Sequence, residues 1–145
     1  MKNRILEDVK INVKIKLAAL WAAVTLMYLS GDVFGFFEPG IIEEIIAGAP
    51  RGIQTTQVTL LAMVLSLLIP SVMVFLSLVL KPKVNRWANI ILGIFFTVFL
   101  PITMLMTTYA YYIFLGIVEV VFTALIVWYA WKWPKQEARA DSIFF

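Results

Sequence analysis

Residues 58–80 read VTLLAMVLSLLIPSVMVFLSLVL, an apolar run without a single charged side chain. A helix rises about 1.5 Å per residue, so a run of this length spans the roughly 30 Å hydrocarbon core of a bilayer. Three similar runs lie at about 17–37, 87–108 and 112–133. The sequence therefore predicts an all-α membrane protein: one domain over residues 1–145, built as a four-transmembrane-helix bundle, with a polar tail at 134–145.

The composition excludes several classes of protein. Of the 145 residues, 62% are hydrophobic and 14% are charged, against about 45–50% and about 25% in typical soluble domains. This excess of apolar side chains indicates that lipid surrounds most of the chain. The sequence contains neither cysteine nor histidine, which removes thiol nucleophiles, imidazole bases and the usual ligands of zinc and haem. We therefore expect no enzymatic activity, no catalytic residue, no metal and no cofactor.

Basic residues decide the predicted orientation. Eleven of the twelve precede the first helix, join the second helix to the third, or follow the fourth. These three regions share one side of a four-pass topology, and the positive-inside rule makes that side cytoplasmic. Both termini are therefore predicted to be cytoplasmic, and this orientation explains the net charge of +3 better than a nucleic-acid partner does. The eleven residues are Lys2, Arg4, Lys10, Lys14, Lys16, Lys81, Lys83, Arg86, Lys132, Lys135 and Arg139.

Two shorter segments are predicted to lie at the membrane surface. Residues 5–16 alternate apolar side chains with polar ones in their second half, which favours an interfacial segment leading into the first helix. Residues 41–46 read IIEEII and place isoleucines on one helical face and glutamates on the other. This pattern predicts a short amphipathic helix on the outer side of the membrane, stopped by Gly48 and Pro50.

Each long helix carries one stripe of small or polar side chains at helical spacing. Such residues let membrane helices approach closely, so we expect the stripes to face one another. Pro70 and Pro101 are placed near the middle of the second and third helices, where each removes a backbone hydrogen bond and predicts a kink. Ser66 and Thr97, four residues earlier, can help to re-satisfy the local backbone. The kinks either improve packing or open a cavity. The stripes are Trp21, Thr25, Tyr28 and Asp32; Thr59, Ser66, Pro70, Met73 and Ser77; Asn89, Gly93, Thr97, Pro101 and Met104; and Tyr112, Gly116, Glu119 and Thr123.

Two acids, Asp32 and Glu119, are the only carboxylates inside the apolar segments, and both are predicted to lie in the outer half. Carboxylates in hydrocarbon are costly, which makes them candidates for function. Arg51, in the outer connection, is the sole candidate for a basic partner. In one interpretation Glu119 is a neutral structural acid that forms a hydrogen bond with a hydroxyl. The candidate hydroxyls are those of Thr25, Tyr28 and Ser66.

In the other interpretation the acids bind a cation, a proton or an amine in a pocket that opens outward. Its predicted walls are Tyr28, Tyr112 and Trp21. Three functions follow, of which we favour a non-catalytic protein that holds a lipid, a small ligand or another membrane subunit. The second is a cation- or proton-coupled transporter or channel that acts as a homo-oligomer through Glu119 and Asp32. The third is a membrane enzyme, for which too few polar groups converge.

Several motifs resemble a known family. They are LEDVKINVKIKLAALW at 6–21, Gly31-Asp32 with Pro39-Gly40, IPSVM at 69–73 through Asn85-Arg86, and Glu119 with WYAWKWP at 128–134. Together they resemble a family of small four-helix prokaryotic membrane proteins known only as a domain of unknown function. The resemblance spans nearly the whole chain. It implies the four-helix topology and a place in the cytoplasmic (inner) membrane of a prokaryote, and it implies no activity or cofactor.

Overall fold

The computed structural model describes residues 4–135, which form helices and no strand. The predicted tail beyond residue 135 and the basic residues Lys2 and Arg139 lie outside the described residues. Five α-helices follow one another along the chain, and a 3-10 turn at Pro50–Gly52 lies between the second and the third. They are α1 (Val13–Gly35), α2 (Ile41–Ile46), α3 (Gln57–Val79), α4 (Pro82–Met104) and α5 (Ala110–Trp131).

Four of these helices, α1, α3, α4 and α5, are long and apolar enough to cross a membrane. The predicted four-helix architecture is therefore confirmed, whereas the side on which the termini lie stays a prediction. The described chain begins and ends at one end of the bundle, called the termini end below. The connections from α1 to α3 and from α4 to α5 lie at the opposite end, called the loop end.

The helix boundaries differ from the predicted ones for local reasons. Helix α1 begins four residues earlier than predicted because the side chain of Asn12 accepts a hydrogen bond from the amide of Lys14 at 2.8 Å and caps the helix. Helix α4 begins at Pro82, since proline is well suited to the first position of a helix. Asn85 and Arg86, predicted in a turn, therefore lie inside α4.

The two prolines lie within continuous helices, Pro70 in α3 and Pro101 in α4. Pro101 lies in the last turn of α4 and not near its middle, because α4 ends at Met104. The hydroxyls of Ser66 and Thr97 were expected to help the backbone near the prolines, but they form hydrogen bonds with other carbonyl groups. The hydroxyl of Ser66 donates to the carbonyl of Met63 at 2.7 Å, and that of Thr97 donates to the carbonyl of Gly93 at 2.6 Å. The predicted kinks stay a prediction.

The connection from α1 to α3 contains the short helix α2, which begins directly after Gly40. The φ angle of Gly40 is 84°, a value that glycine adopts without strain. Only Ile41 of its isoleucines is buried, and Ile46 is 80% exposed. An apolar face thus remains uncovered by the described residues. Contact of this face with a membrane surface stays a prediction.

Packing differs around the bundle. Helix α1 packs along α3 and α5, and α4 packs along α5, whereas α3 and α4 make few contacts although a short turn joins them. The fully buried apolar side chains, among them Leu17, Trp21 and Ile126, cluster in the half of the bundle nearer the termini end. The termini half is thus the packed half, and the loop half is the more open one.

A polar network crosses this packed half. The indole nitrogen of Trp21 donates to Oδ1 of Asn89 at 2.7 Å, and the hydroxyl of Ser77 donates to the same oxygen at 3.3 Å. The amide of Asn89 donates to Oδ1 of Asn85 at 2.7 Å, and the amide of Asn85 donates to the carbonyl of Ser77 at 2.7 Å. All four side chains are fully buried, so this network ties α1, α3 and α4 together where lipid offers no alternative partner.

Glycines set the approach of α4 to α5. A Cβ added at Gly93 would lie 2.7 Å from Cγ2 of Val127, and one added at Gly116 would collide with the side chain of Met104. Gly31 of α1 faces α5 as well, since its added Cβ would lie 3.3 Å from Cδ2 of Leu115. These small residues therefore serve contacts within the chain.

Candidate functional site

A cavity of about 340 Å³ lies in the loop half of the bundle, between all four long helices. It exists there because the large buried side chains are concentrated in the other half and because α3 and α4 scarcely touch. Of the side chains that the sequence singled out, the following line it: Tyr28, Asp32, Ser66, Tyr112 and Glu119. The structure therefore brings the two acids and the two tyrosines to one site.

Glu119 is the buried acid of this cavity, at 5% exposure, and it projects from the middle of α5. Asp32 is an exposed residue in the last turn of α1, so it marks the more open part of the lining. Within residues 4–135 no protein group donates a hydrogen bond to either carboxylate, and the one salt bridge there involves neither acid. Both carboxylates are therefore available to a ligand.

Tyr28 supplies a third polar group. Its hydroxyl is the one buried side-chain polar atom in the described chain without a hydrogen-bond partner. The ring packs edge-on against Phe96, with the centroids 6.0 Å apart, so the position of the ring is determined by the core. Because this hydroxyl has no partner among the described residues, it can form a hydrogen bond with a molecule that enters the cavity.

The hydroxyls proposed as partners of Glu119 do not reach it. That of Ser66 bonds within its own helix, as described above, and that of Thr25 donates to the carbonyl of Trp21 at 2.8 Å. Neither Trp21 nor Thr25 lines the cavity. Trp21 belongs to the packed core instead, because its indole nitrogen is bonded to Asn89.

Arg51, predicted as the partner of the acids, pairs with a different carboxylate. Its Nη2 lies 2.7 Å from Oε1 of Glu38, to which the hydroxyl of Tyr111 also donates at 2.5 Å. Burial lowers the pKa of Arg51, but the hydrogen bond and the charge of Glu38 outweigh it and raise the pKa overall. Arg51 therefore closes the loop end of the bundle, and it lies outside the cavity lining.

This cluster of Glu38, Arg51 and Tyr111 was missed in the sequence. Glu38 follows α1 directly and reads as part of a polar connection, but it is 8% exposed. Gly35 beside it gives no signal either, because a Cβ there would lie 3.5 Å from Nη2 of Arg51, which is an ordinary contact distance. The salt bridge of this cluster engages the one basic residue of the loop end, so neither cavity acid forms a salt bridge within the described residues. The guanidinium of Arg51 nevertheless lies near the cavity, 5.9 Å from the ring centroid of Tyr112.

The chemistry available in the cavity is that of two carboxylates, a phenol hydroxyl and aromatic faces. Within the described residues no group of three or more acidic, histidine or cysteine side chains could hold a metal ion. Two carboxylates without a basic partner attract positive charge, and the aromatic faces favour a cation on an organic molecule. The arrangement is therefore suited to binding an organic cation.

Comparison with known proteins gives a family and nothing further. A family model described as a family of unknown function (DUF6326) matches residues 4–140, which confirms the resemblance to a family of unknown function, whereas the prokaryotic origin stays a prediction. No curated protein and no solved structure matches this chain.

Proposed function

This chain belongs to DUF6326, a family of unknown function, and we propose that it is a non-catalytic membrane protein that binds a small organic cation in the cavity between its four long helices. The observation that carries the proposal is the pair of carboxylates, Asp32 and Glu119, which line one cavity without a basic partner there. Ligand pockets of about 300–1,000 Å³ are common for small molecules, and the cavity of about 340 Å³ falls within this range.

The shape of the cavity favours a ligand with an apolar part. Met63 of α3 is 52% exposed and Phe99 of α4 is 37% exposed, and both line the cavity. Because α3 and α4 make few contacts, the cavity opens between them, toward the region where lipid chains would lie. An amine on a short apolar group could therefore place its charge at Glu119 while its apolar part remains between the two helices.

Transport is the alternative function, and the acids themselves favour it, because carboxylates without a partner can exchange a proton or a cation. The packing opposes it for a single chain. Between the cavity and the termini end, the bundle is filled by the core around Trp21 and Phe96 and by the buried network of Asn89. A path through one chain would need this packed half to open, so transport would require a rearrangement or a homo-oligomer.

Binding can be tested with the purified protein in nanodiscs. We expect calorimetric titration with hexyltrimethylammonium to show binding that falls at least about tenfold in Glu119→Gln, since a lost ion pair worth about 1.4 kcal/mol changes affinity tenfold. Asp32→Asn should weaken binding less, because Asp32 is more exposed. The matched control is Glu43→Gln, which removes an exposed carboxylate of α2 that forms no salt bridge within the described residues and does not line the cavity, and it should leave binding unchanged.

Two results would overturn the proposal. One is equal affinity in Glu119→Gln and in the unaltered protein, and the other is equal affinity for hexyltrimethylammonium and for a neutral isostere of the same size. Flux of the same ion into proteoliposomes separates the two functions. Binding without flux supports the binding protein, whereas flux that is lost in Glu119→Gln identifies a transporter.

A further inference from the structure

A second cavity, of about 520 Å³, lies at the termini end, far from the acidic site. Its lining combines three lysines, Lys10, Lys14 and Lys135, with the ring of Trp133. No carboxylate lines it, and within residues 4–135 none of the three lysines forms a salt bridge. This cavity therefore concentrates positive charge that the described protein does not neutralise.

Lys14 is held in place within this group. Its Nζ donates to the carbonyl of Leu80 at 3.0 Å, where α3 ends, which leaves two of its three N–H donors for other partners. Lys10 lies just before α1 and Lys14 in its first turn, whereas Lys135 follows α5, so the lysines come from two ends of the described chain. Only the folded bundle brings them together.

The backbone adds to the positive character of this cavity. Helix α1 begins at Val13 and helix α4 begins at Pro82, and both residues line it. The first turn of a helix has N–H groups without internal partners, and the helix dipole places partial positive charge there. Asn12 already accepts a hydrogen bond from the amide of Lys14 and Pro82 has no N–H, so the two helix starts support the lysines mainly through their dipoles.

The apolar part of the lining points to the source of that anion. Ile11, Val13, Trp133 and Pro134 lie beside the lysines. The ends of membrane helices lie at the level of the lipid headgroups, and tryptophan favours this level. A phosphate that carries acyl chains fits both parts of the lining, whereas a free phosphate ion would use only the lysines.

We propose that this cavity binds the phosphate headgroup of an anionic phospholipid, with its acyl chains against the apolar lining. The site is separate from the acidic cavity and does not depend on the function proposed for it. It lies on the side that the distribution of basic residues predicts to be cytoplasmic, where anionic lipids attract lysines.

The test is a titration of the detergent-solubilised protein with short-chain phosphatidylglycerol and with phosphatidylcholine of the same chain length, followed by native mass spectrometry. We expect phosphatidylglycerol to bind at least about tenfold more tightly, and the double variant of Lys10→Gln and Lys135→Gln to lose at least about tenfold of that affinity. This variant leaves Lys14 and its hydrogen bond to Leu80 intact. The matched control changes Lys81 and Lys83 to Gln, since these two lysines lie at the same end but not in the lining.

The control variant should lose less than about twofold of its affinity. Equal losses in the two double variants would overturn the proposal, because they would show attraction by surface charge in general. Equal affinity for the two lipids would overturn it as well. Inorganic phosphate that displaces the lipid at equal concentration would identify a free phosphate site instead and would also refute the lipid assignment.

Discussion

The hydrogen bond between Trp21 and Asn89 should be a main contributor to stability in the packed half of the bundle. Its 2.7 Å length joins two side chains that are both fully buried, on α1 and α4. A double-mutant cycle with Trp21→Phe and Asn89→Ala isolates this one bond. The losses of packing and of the contacts to Ser77 and Asn85 occur in both backgrounds and cancel.

The expected coupling follows from the geometry of this bond. Hydrogen bonds between membrane helices contribute about 0.6 kcal/mol on average, with a maximum near about 1.7 kcal/mol. A short bond without access to water belongs near the upper end of that range, since the indole N–H of Trp21 has no other partner among the described residues after the bond is lost. Oδ1 of Asn89 keeps only the longer bond from Ser77, at 3.3 Å. We therefore predict a coupling of about 1.5 kcal/mol.

The assay is reversible unfolding in mixed micelles of mild detergent and dodecyl sulfate, followed by far-ultraviolet circular dichroism because one variant removes a tryptophan. A control cycle pairs Trp21 with Ser30, whose hydroxyl donates only to the carbonyl of Leu26 in its own helix. Its coupling should be near zero. A coupling between Trp21 and Asn89 below about 0.3 kcal/mol would refute the inference that this network joins α1 to α4.

Four further variants test three other contacts by the same unfolding assay. Gly93→Ala should destabilise the protein by about 1–3 kcal/mol, because its Cβ would lie 2.7 Å from the stiff side chain of Val127. Arg51→Met should cost more than Glu38→Gln, since Glu38 is the more buried partner and would keep its charge without a cation. Tyr28→Phe should leave the free energy of unfolding unchanged or raise it, because the hydroxyl that it removes has no partner in the described chain.

Each of these variants has a result that contradicts its reasoning. Gly31→Ala is the control for Gly93→Ala, because its Cβ would approach only the end of Leu115, at 3.3 Å. Equal losses of stability in the two variants would mean that α4 and α5 can move apart to accept the added methyl group. A larger loss in Glu38→Gln than in Arg51→Met would show that Glu38, and not the arginine, is the better solvated of the two without its partner. A clear loss of stability in Tyr28→Phe would mean that the hydroxyl has a partner in the folded protein.

The four-helix architecture follows from local properties of the sequence. The length and hydropathy of an apolar run are local properties, and a run long enough to cross hydrocarbon must satisfy its backbone as a helix. Hence the four long helices, and the presence of Asp32 and Glu119 inside them, could be read directly from residues 17–133. Five of the eight predicted site residues line the cavity for a related reason, because one stripe of each helix faces the bundle interior.

The pairing of the polar groups depends on how the helices pack against one another. Hydropathy does not show which side chains of two helices face each other. For this reason Arg51 was assigned to the cavity, although it pairs with Glu38. Asn85 was read as a turn residue although it is fully buried in α4. A partner across the bundle depends on helix rotation, helix separation and the exact turn at which each helix begins, and these are set by packing between helices distant in sequence. The acids of the cavity lack a basic partner because that packing places the arginine elsewhere.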